Sequence, residues 1–551
     1  MIEKICPITG KLFTVTDREM ELRRKLGVDG EPEFHPIYRW QALAAFWQHW
    51  ALHKRICNRT GKSIISVFPE NCPYPVWHKD EWLEHADPAS ADFEVGRPVF
   101  DQLWALFQRC PIPHNIGAGN QNCEYTDDWW YCKNCYLCHS GAENEDLQYC
   151  YRAIRLRNSQ YCVFSIESER CVDLIDSHTC SRVLFGYKCW QCSDSAFLYD
   201  CRNCHDCLFC CNLRNKSYCI GNQQFSKEEY ERQRRDWDFR SRTAYERGKE
   251  LFARMLREQA WHRALFIDQS EQASGNYLHE CKDCENCFFL TTGMESAVNC
   301  LRAGDHNRDC LDTVSAYHSE LAFNTSLPQD QCYDTKCCYN LIQCKWLEYC
   351  AFCFQCEHCF GCCGLRGKKH CVLNKQYSKE EYDMLRARIV DAMKATKEWN
   401  RFFPNSFAAQ PYEESLAGFY WPLTRQAGER LGFRMRAVEP ERSMDSLDSS
   451  LVPDRCDQTD EEIQKNVYWD SGANRPFQIT ALDVAFAKDL GAPLPNTFYM
   501  SRIQENFRWI PFDGTLRETS CAKCRRMTKT GWPSVCDGRI LCEECYLKEV
   551  Y

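Results

Sequence analysis

Residues 201–220 read CRNCHDCLFCCNLRNKSYCI, six cysteines in twenty residues, and residues 353–372 read CFQCEHCFGCCGLRGKKHCV. Cys201, Cys204, Cys207, Cys210, Cys211 and Cys219 return as Cys353, Cys356, Cys359, Cys362, Cys363 and Cys371, a constant shift of 152. The same shift carries Cys132, Cys135, Cys180 and Cys192 onto Cys284, Cys287, Cys332 and Cys344. The middle of the chain is therefore an internal duplication without net insertion, and each copy holds 16 of the 42 cysteines.

A finer rule runs beneath the cysteines. From 123 to 222 nearly every third position is small or apolar, while the two between are mostly polar, charged or aromatic. No helix has a period of three, and an ordinary strand alternates by two. A narrow β-solenoid fits if each side of a small triangular coil contributes three residues and points one inward. Nine residues would then close a turn, the spacing of Cys162, Cys171, Cys180 and Cys189, with twelve where a side lengthens. Residues one turn apart would stack at about 4.8 Å, and a tight lumen would select cysteine as a small hydrophobe. The second copy loses this phase around 299–325.

The period bears on what holds the thiols. Cys201, Cys204, Cys207 and Cys211, and again Cys353, Cys356, Cys359 and Cys363, spell the C-x2-C-x2-C-x3-C run of bacterial ferredoxins. The proline that usually follows is replaced by Asn212 and Gly364, and the triplet rule continues on both sides through residues that bind no iron. A reduced, thiol-lined core is the expectation. Lumen zinc, disulfides between stacked thiols and an iron–sulfur cluster remain alternatives.

The C-terminus carries a plainer signal. Cys521, Cys524, Cys542 and Cys545 form C-x2-C…C-x2-C with seventeen residues between the pairs, as expected of a zinc ribbon or knuckle. The ends are themselves related: FTVTDREMELRRKLG at 13–27 matches FQITALDVAFAKDLG at 477–491, and the same shift of 464 carries Cys57 to Cys521 and Cys72 to Cys536. In the N-terminal copy Thr60, His78 and Glu81 replace three cysteines. Cys57, Cys72 and His78 remain as candidate ligands, but loss of metal with retention of fold is the expectation. Cys6, with Thr9 and His35, resembles half a knuckle.

These features predict a mainly β chain with helical insertions: two narrow cysteine-lined β-solenoid blocks, long helices after each, and knuckle-like modules at both termini. The expected segments are a degenerate knuckle module (1–118), the first solenoid (119–225), a helical insertion (226–272), the second solenoid (273–377), a helix (378–400), a linker region with local packing (401–470) and a zinc-ribbon-like module (471–551). Ser226 with Glu229 and Ser378 with Glu381 have capping-box spacing, placing helices at about 227–265 and 379–400 that pack on the solenoids.

The block ends with their SKEEY segments, together with CNRTGKSIISVF (57–68), KEWNRFFPNSF (397–407), FYWPLT (419–424) and CEECYLKEVY (542–551), resemble a family of cysteine-rich hypothetical proteins of candidate-phyla, small-genome bacteria. Members carry fuller knuckle cysteines at both ends, from which this chain departs at Thr9, Thr60 and Glu81. The resemblance implies zinc where the knuckle cysteines are kept, at the C-terminal end and not at the N-terminal one, and no particular activity.

A net charge of −9 leaves any nucleic-acid binding to a local site. The start of the chain lacks a signal-peptide pattern and no apolar run is long enough to span a membrane, which predicts a cytoplasmic protein with reduced thiols. No phosphate-cradling loop, nucleophile elbow or metalloprotease helix is present, so no catalytic or small-molecule cofactor residues are assigned. The expected function is a non-enzymatic, zinc-binding structural or interaction scaffold. Iron–sulfur or thiol-based redox and metal handling is the first alternative. Nucleic-acid binding by the knuckle ends, near Arg39, Lys54, Arg55, Lys523, Arg525 and Arg526, is the second.

Overall fold

The computed structural model describes residues 1–47, 51–291, 293–304, 307–315, 323, 325–326, 345–437, 442–459 and 461–551. Cys332 and Cys344, two positions of the duplication, lie outside the described residues. The chain is mainly β, with two cysteine-lined solenoids, helices after each, and hairpin-and-helix modules at both ends. It forms two compact units: Met1–Asn115 with Leu265–Ala437, and Ile116–Ala264 with Val438–Tyr551. The N-terminal modules thus share a unit with the second solenoid, and the C-terminal modules with the first.

The first solenoid corrects the expected turn. Glu145 pairs with Arg157, Val172 with Leu184 and His205 with Ser217, each in parallel and each twelve residues apart. Every third residue from Asn122 to Tyr218 has a left-handed φ of +43° to +63°. Each such residue is a corner, so a turn has four sides of three residues, and a turn of nine does not occur in this block. Nine-residue spacing marks the next turn one side back. Asn and Asp occupy many corners because their short polar side chains tolerate this conformation best.

The residue after each corner points inward. Cys132, Cys135, Cys138, Cys150, Cys162 and their successors to Cys219 form one buried column set with Leu147, Leu174, Val183 and Leu198. Backbone bonding explains the preference for cysteine and serine. Outward Tyr151 donates its amide to Cys162 O at 2.9 Å, and corner residue Arg152 donates to His139 O at 3.1 Å. The amide of inward Cys150 has no such partner and faces the lumen, where Cys138 Sγ accepts it at 3.5 Å. Ser168 Oγ does the same for Cys180 at 3.0 Å and Ser177 Oγ for Cys189 at 2.9 Å. Each thiol also meets the carbonyl two residues before it, as Cys150 meets Gln148 O at 3.3 Å. The lumen therefore selects a small side chain with both a donor and an acceptor, and not merely a small hydrophobe.

The second solenoid keeps the four-sided plan with a variable register. Ile267 pairs with Leu278 eleven residues on, Gly275 with Cys287 at twelve, Lys282 with Glu295 at thirteen, and Lys345 with Glu357 again at twelve. The phase slips begin before residue 299, earlier than expected. Gly275 is required where it stands: its φ is +133°, and a Cβ there would lie 1.7 Å from Cys287 O.

Ser226 and Ser378 both cap helices, but only Ser378 completes the reciprocal box with Glu381. Glu229 instead binds Arg232 and Gln233. The first expected helix is two, Lys227–Arg234 and Arg242–Glu258, the second begun by its own cap, Ser241. Its buried face meets corner residues stacked on the solenoid wall: Phe185, Phe197 and Phe209 lie 5.5 and 5.1 Å apart, and Phe252 packs edge-on against Phe185 at 5.8 Å. Residues 401–437 belong to the first unit and bury Phe403, Phe407, Tyr412 and Leu416. No described helix is long and apolar enough to cross a membrane.

Candidate metal centre

Four hairpins of one design occur in the terminal segments. Their strands are Ile2–Ile5 with Leu12–Val15, His53–Ile56 with Ser63–Ser66, Val467–Asp470 with Arg475–Gln478, and Arg517–Ser520 with Met527–Thr530. Each turn contains a left-handed residue: Gly10, Gly61, Asn474 and Arg525. In three of them the residue after the first strand bonds across the turn with the same pattern. Cys6, Cys57 and Cys521 each donate an amide at 2.9 Å to the carbonyl five residues on, and each accepts from the amide four residues on at 2.9–3.0 Å. Each hairpin faces the N-terminus of a later helix, whose preceding residue is His35, His78, Phe498 or Cys542.

Only the fourth copy has a full set of thiols. Cys521, Cys524, Cys542 and Cys545 bring their sulfurs within 4.8 Å of one another, the one group of metal-ligating side chains so arranged among the described residues. Cys524 Sγ and Cys542 Sγ are 3.6 Å apart. A tetrahedral ion with Zn–S bonds of about 2.3 Å needs sulfurs about 3.8 Å apart, so the set fits. Cys521 and Cys542 are buried, Cys545 half-buried and Cys524 exposed. Burial raises the Cys521 thiol pKa, but the amides of Cys542, Cys524 and Lys523 outweigh it and bring it down to about 6. Burial and the three neighbouring thiols push Cys545 up to about 12. A cation bound by the set would displace the thiol protons.

The other three copies are closed by hydrogen bonds. In the second, Cys57 Sγ accepts the His78 amide at 3.3 Å, Thr60 Oγ1 accepts from Lys62 at 3.3 Å, and Glu81 pairs with Arg59 at 3.0 Å. His78 Nδ1 is turned to its own helix, accepting from Asp80 at 3.4 Å, and its ring stacks on His114 at 4.6 Å. Cys72 sits beside Arg55 and Arg434, and burial pushes its pKa up to about 11. The candidate trio Cys57, Cys72 and His78 therefore does not converge. The first copy repeats this: Thr9 Oγ1 accepts from Lys11 at 3.4 Å, and His35 Nδ1 caps its helix by accepting from Ile37 at 3.1 Å.

The third copy was not apparent from ligand spacing, because an aspartate stands in the cysteine position. Asp470 Oδ1 accepts the amides of Gly472 and Ala473 at 2.9 and 3.0 Å, and Oδ2 accepts the Phe498 amide at 2.9 Å and the Ser501 hydroxyl at 3.0 Å. One carboxylate joins the turn to the helix end, the task a metal would perform in the fourth copy. The signal was the shift of 464, which places Asp470 on Cys6 and Asn474 on Gly10.

The ferredoxin-like runs are divided by the solenoid. Cys201, Cys204 and Cys207 lie in the lumen, as do Cys353, Cys356 and Cys359. Cys211 and Cys363 follow an inward residue and fall outside the lumen sets, Cys363 lying against Cys110. Neither set of four converges, because the fourth thiol of each lies on another face.

These features define a class: a cysteine-lined, four-sided β-solenoid protein with one intact four-cysteine knuckle that can hold a metal ion. The chain matches no protein-family model and no curated protein sequence.

Proposed function

We propose that the chain is a non-enzymatic scaffold in which one zinc ion, bound by Cys521, Cys524, Cys542 and Cys545, fixes the C-terminal knuckle and the solenoid presents a surface to a protein partner. The convergence of these four sulfurs carries the reading. The lumen thiols support it, since they donate to backbone carbonyls, as Cys150 does to Gln148 O, and several also accept a backbone amide, as Cys138 does. Four of the six basic residues near the knuckles are already engaged, which favours a protein over a nucleic acid. Arg39 is buried between Glu19 and Asp312 at 2.9 Å each, Arg55 binds Pro69 O, Lys523 pairs with Glu549, and Arg526 pairs with Glu544. Metal analysis of anaerobically purified, chelator-free protein tests the proposal. Colourless protein with one zinc ion per chain is expected; brown protein containing iron would overturn it.

A further inference from the structure

The second unit contains a cavity of about 580 Å³ between the polar stripe of the helix Arg242–Glu258 and the loop 493–497 that leads into the helix Tyr499–Arg508. Its size falls in the range of small-molecule sites, about 300–1,000 Å³. Beneath it lies a buried ion pair. Asp173 accepts from Tyr245 Oη at 2.6 Å, Arg502 Nε at 3.1 Å, Arg502 Nη2 at 2.7 Å and Asn506 Nδ2 at 3.0 Å. Arg502 is further fixed by stacking over Tyr161, 4.1 Å from the ring centre. Its side chain is only 11% exposed, yet Nη1 makes no hydrogen bond among the described residues. This is a pre-positioned cationic donor, held rigid by its two other nitrogens and lining a cavity.

The walls narrow the ligand class. Asn496 and Thr497 line the cavity with side chains that bond nothing among the described residues. Across from them, Glu250 has no ion pair among the described residues, and Glu246 has only Lys249 at 3.6 Å, which is closer to Glu505 at 2.5 Å. An anion alone would meet these glutamates, and a cation alone would meet Arg502 and the other lining cations Arg242, Arg247 and Lys249. A molecule with both signs suits both walls.

We propose that this cavity binds a small zwitterion, a free amino acid or a short peptide. Its carboxylate is received by Arg502 Nη1 with Asn496 and Thr497, and its ammonium group is turned toward Glu250 and Glu246. The test is ligand-observed NMR and calorimetry on the full, metal-loaded chain, with the proteinogenic amino acids, a dipeptide panel, and their N-acetylated and C-amidated forms. Saturable binding of at least one zwitterion is expected, weakened about tenfold or more by either cap. Glu250→Gln, at an exposed position, should weaken binding by about tenfold without moving the unfolding midpoint. Because Arg502→Lys also disturbs Asp173, Thr497→Val and Asn496→Ala supply the carboxylate-side test, with losses that vanish for amidated ligands. The proposal is overturned if no zwitterion binds saturably, or if binding is indifferent to both caps and to these three variants.

Discussion

The hydroxyl of Ser159 accepts a hydrogen bond from the amide of Cys171, one turn further along the solenoid, at 3.0 Å. The same relationship joins Ser195 to Cys207 at 3.0 Å and Cys350 to Cys362 at 3.4 Å. A four-sided coil with a left-handed corner every third residue leaves one amide per side without a backbone partner. Where the side chain twelve residues earlier is a serine, a cysteine or an asparagine, it can supply the acceptor.

Ser159→Ala should therefore cost about 1–3 kcal/mol, the range for stranding a buried donor. Ser159→Cys, which restores an acceptor, should lie within about 1 kcal/mol of the parent. Denaturant unfolding of the three proteins measures both, and equal stability of the alanine and cysteine variants would refute the lumen rule.

Thiol reactivity should fall into two classes. In chelator-treated protein, exposed Cys524 and half-buried Cys545 should react with an aromatic disulfide reagent within minutes, while the lumen thiols react only on unfolding. Mass mapping of the modified cysteines gives the result. Early labelling of Cys201 or Cys204 would show that the solenoid opens readily.

Asp470→Ala removes the acceptor for three amides and a hydroxyl at the third knuckle. A loss of about 3 kcal/mol or more is expected. Asp470→Asn retains one acceptor oxygen and should lose less. Thermal unfolding ranks the three proteins.

His262 is buried, with Nε2 placed 2.8 Å from Leu256 O and Nδ1 placed 3.2 Å from the Tyr199 hydroxyl. A neutral ring that donates from Nε2 and accepts at Nδ1 satisfies both partners. Burial brings its pKa down from 6.5 to about 4. A depressed folded-state pKa means that the stabilising neutral form is complete above pH 6.5 and is lost progressively as the pH falls toward 4. The loss approaches about 3 kcal/mol by linkage. His262→Gln should flatten this acid limb in urea titrations at pH 4–7, and an unchanged limb would contradict the assignment.

Gly275→Ala forces a Cβ into Cys287 O at a φ of +133°. A loss of about 2–5 kcal/mol is expected from strain and overlap. Replacement of Gly10, also left-handed but with nothing within 4 Å of its added Cβ, should cost less. Parallel melts of the two variants compare the combined cost of overlap and strain at Gly275 with that of strain without overlap at Gly10.

The period of three in residues 123–222 was enough to predict an inward column of small side chains, since one-in-three burial leaves its mark on composition. The number of sides was not available from it. Nine-residue cysteine spacing suits a triangle as well as a diagonal step on a square, and only the pairing of Glu145 with Arg157 distinguishes them. Ser226 showed the same limit: its spacing to Glu229 permits a capping box, but Arg232 and Gln233 compete for that glutamate.

The sequence by itself determined the duplications, the solenoid blocks and the four terminal cysteines, because repeat period and ligand spacing are one-dimensional properties. Tertiary structure decided which thiols meet. Cys211 and Cys363 leave the ferredoxin-like runs because the residue after an inward position points to another face, and Asp470 joins the knuckle family because its carboxylate bridges a turn and a helix end. Such relations depend on directions in space, which spacing along a chain does not encode.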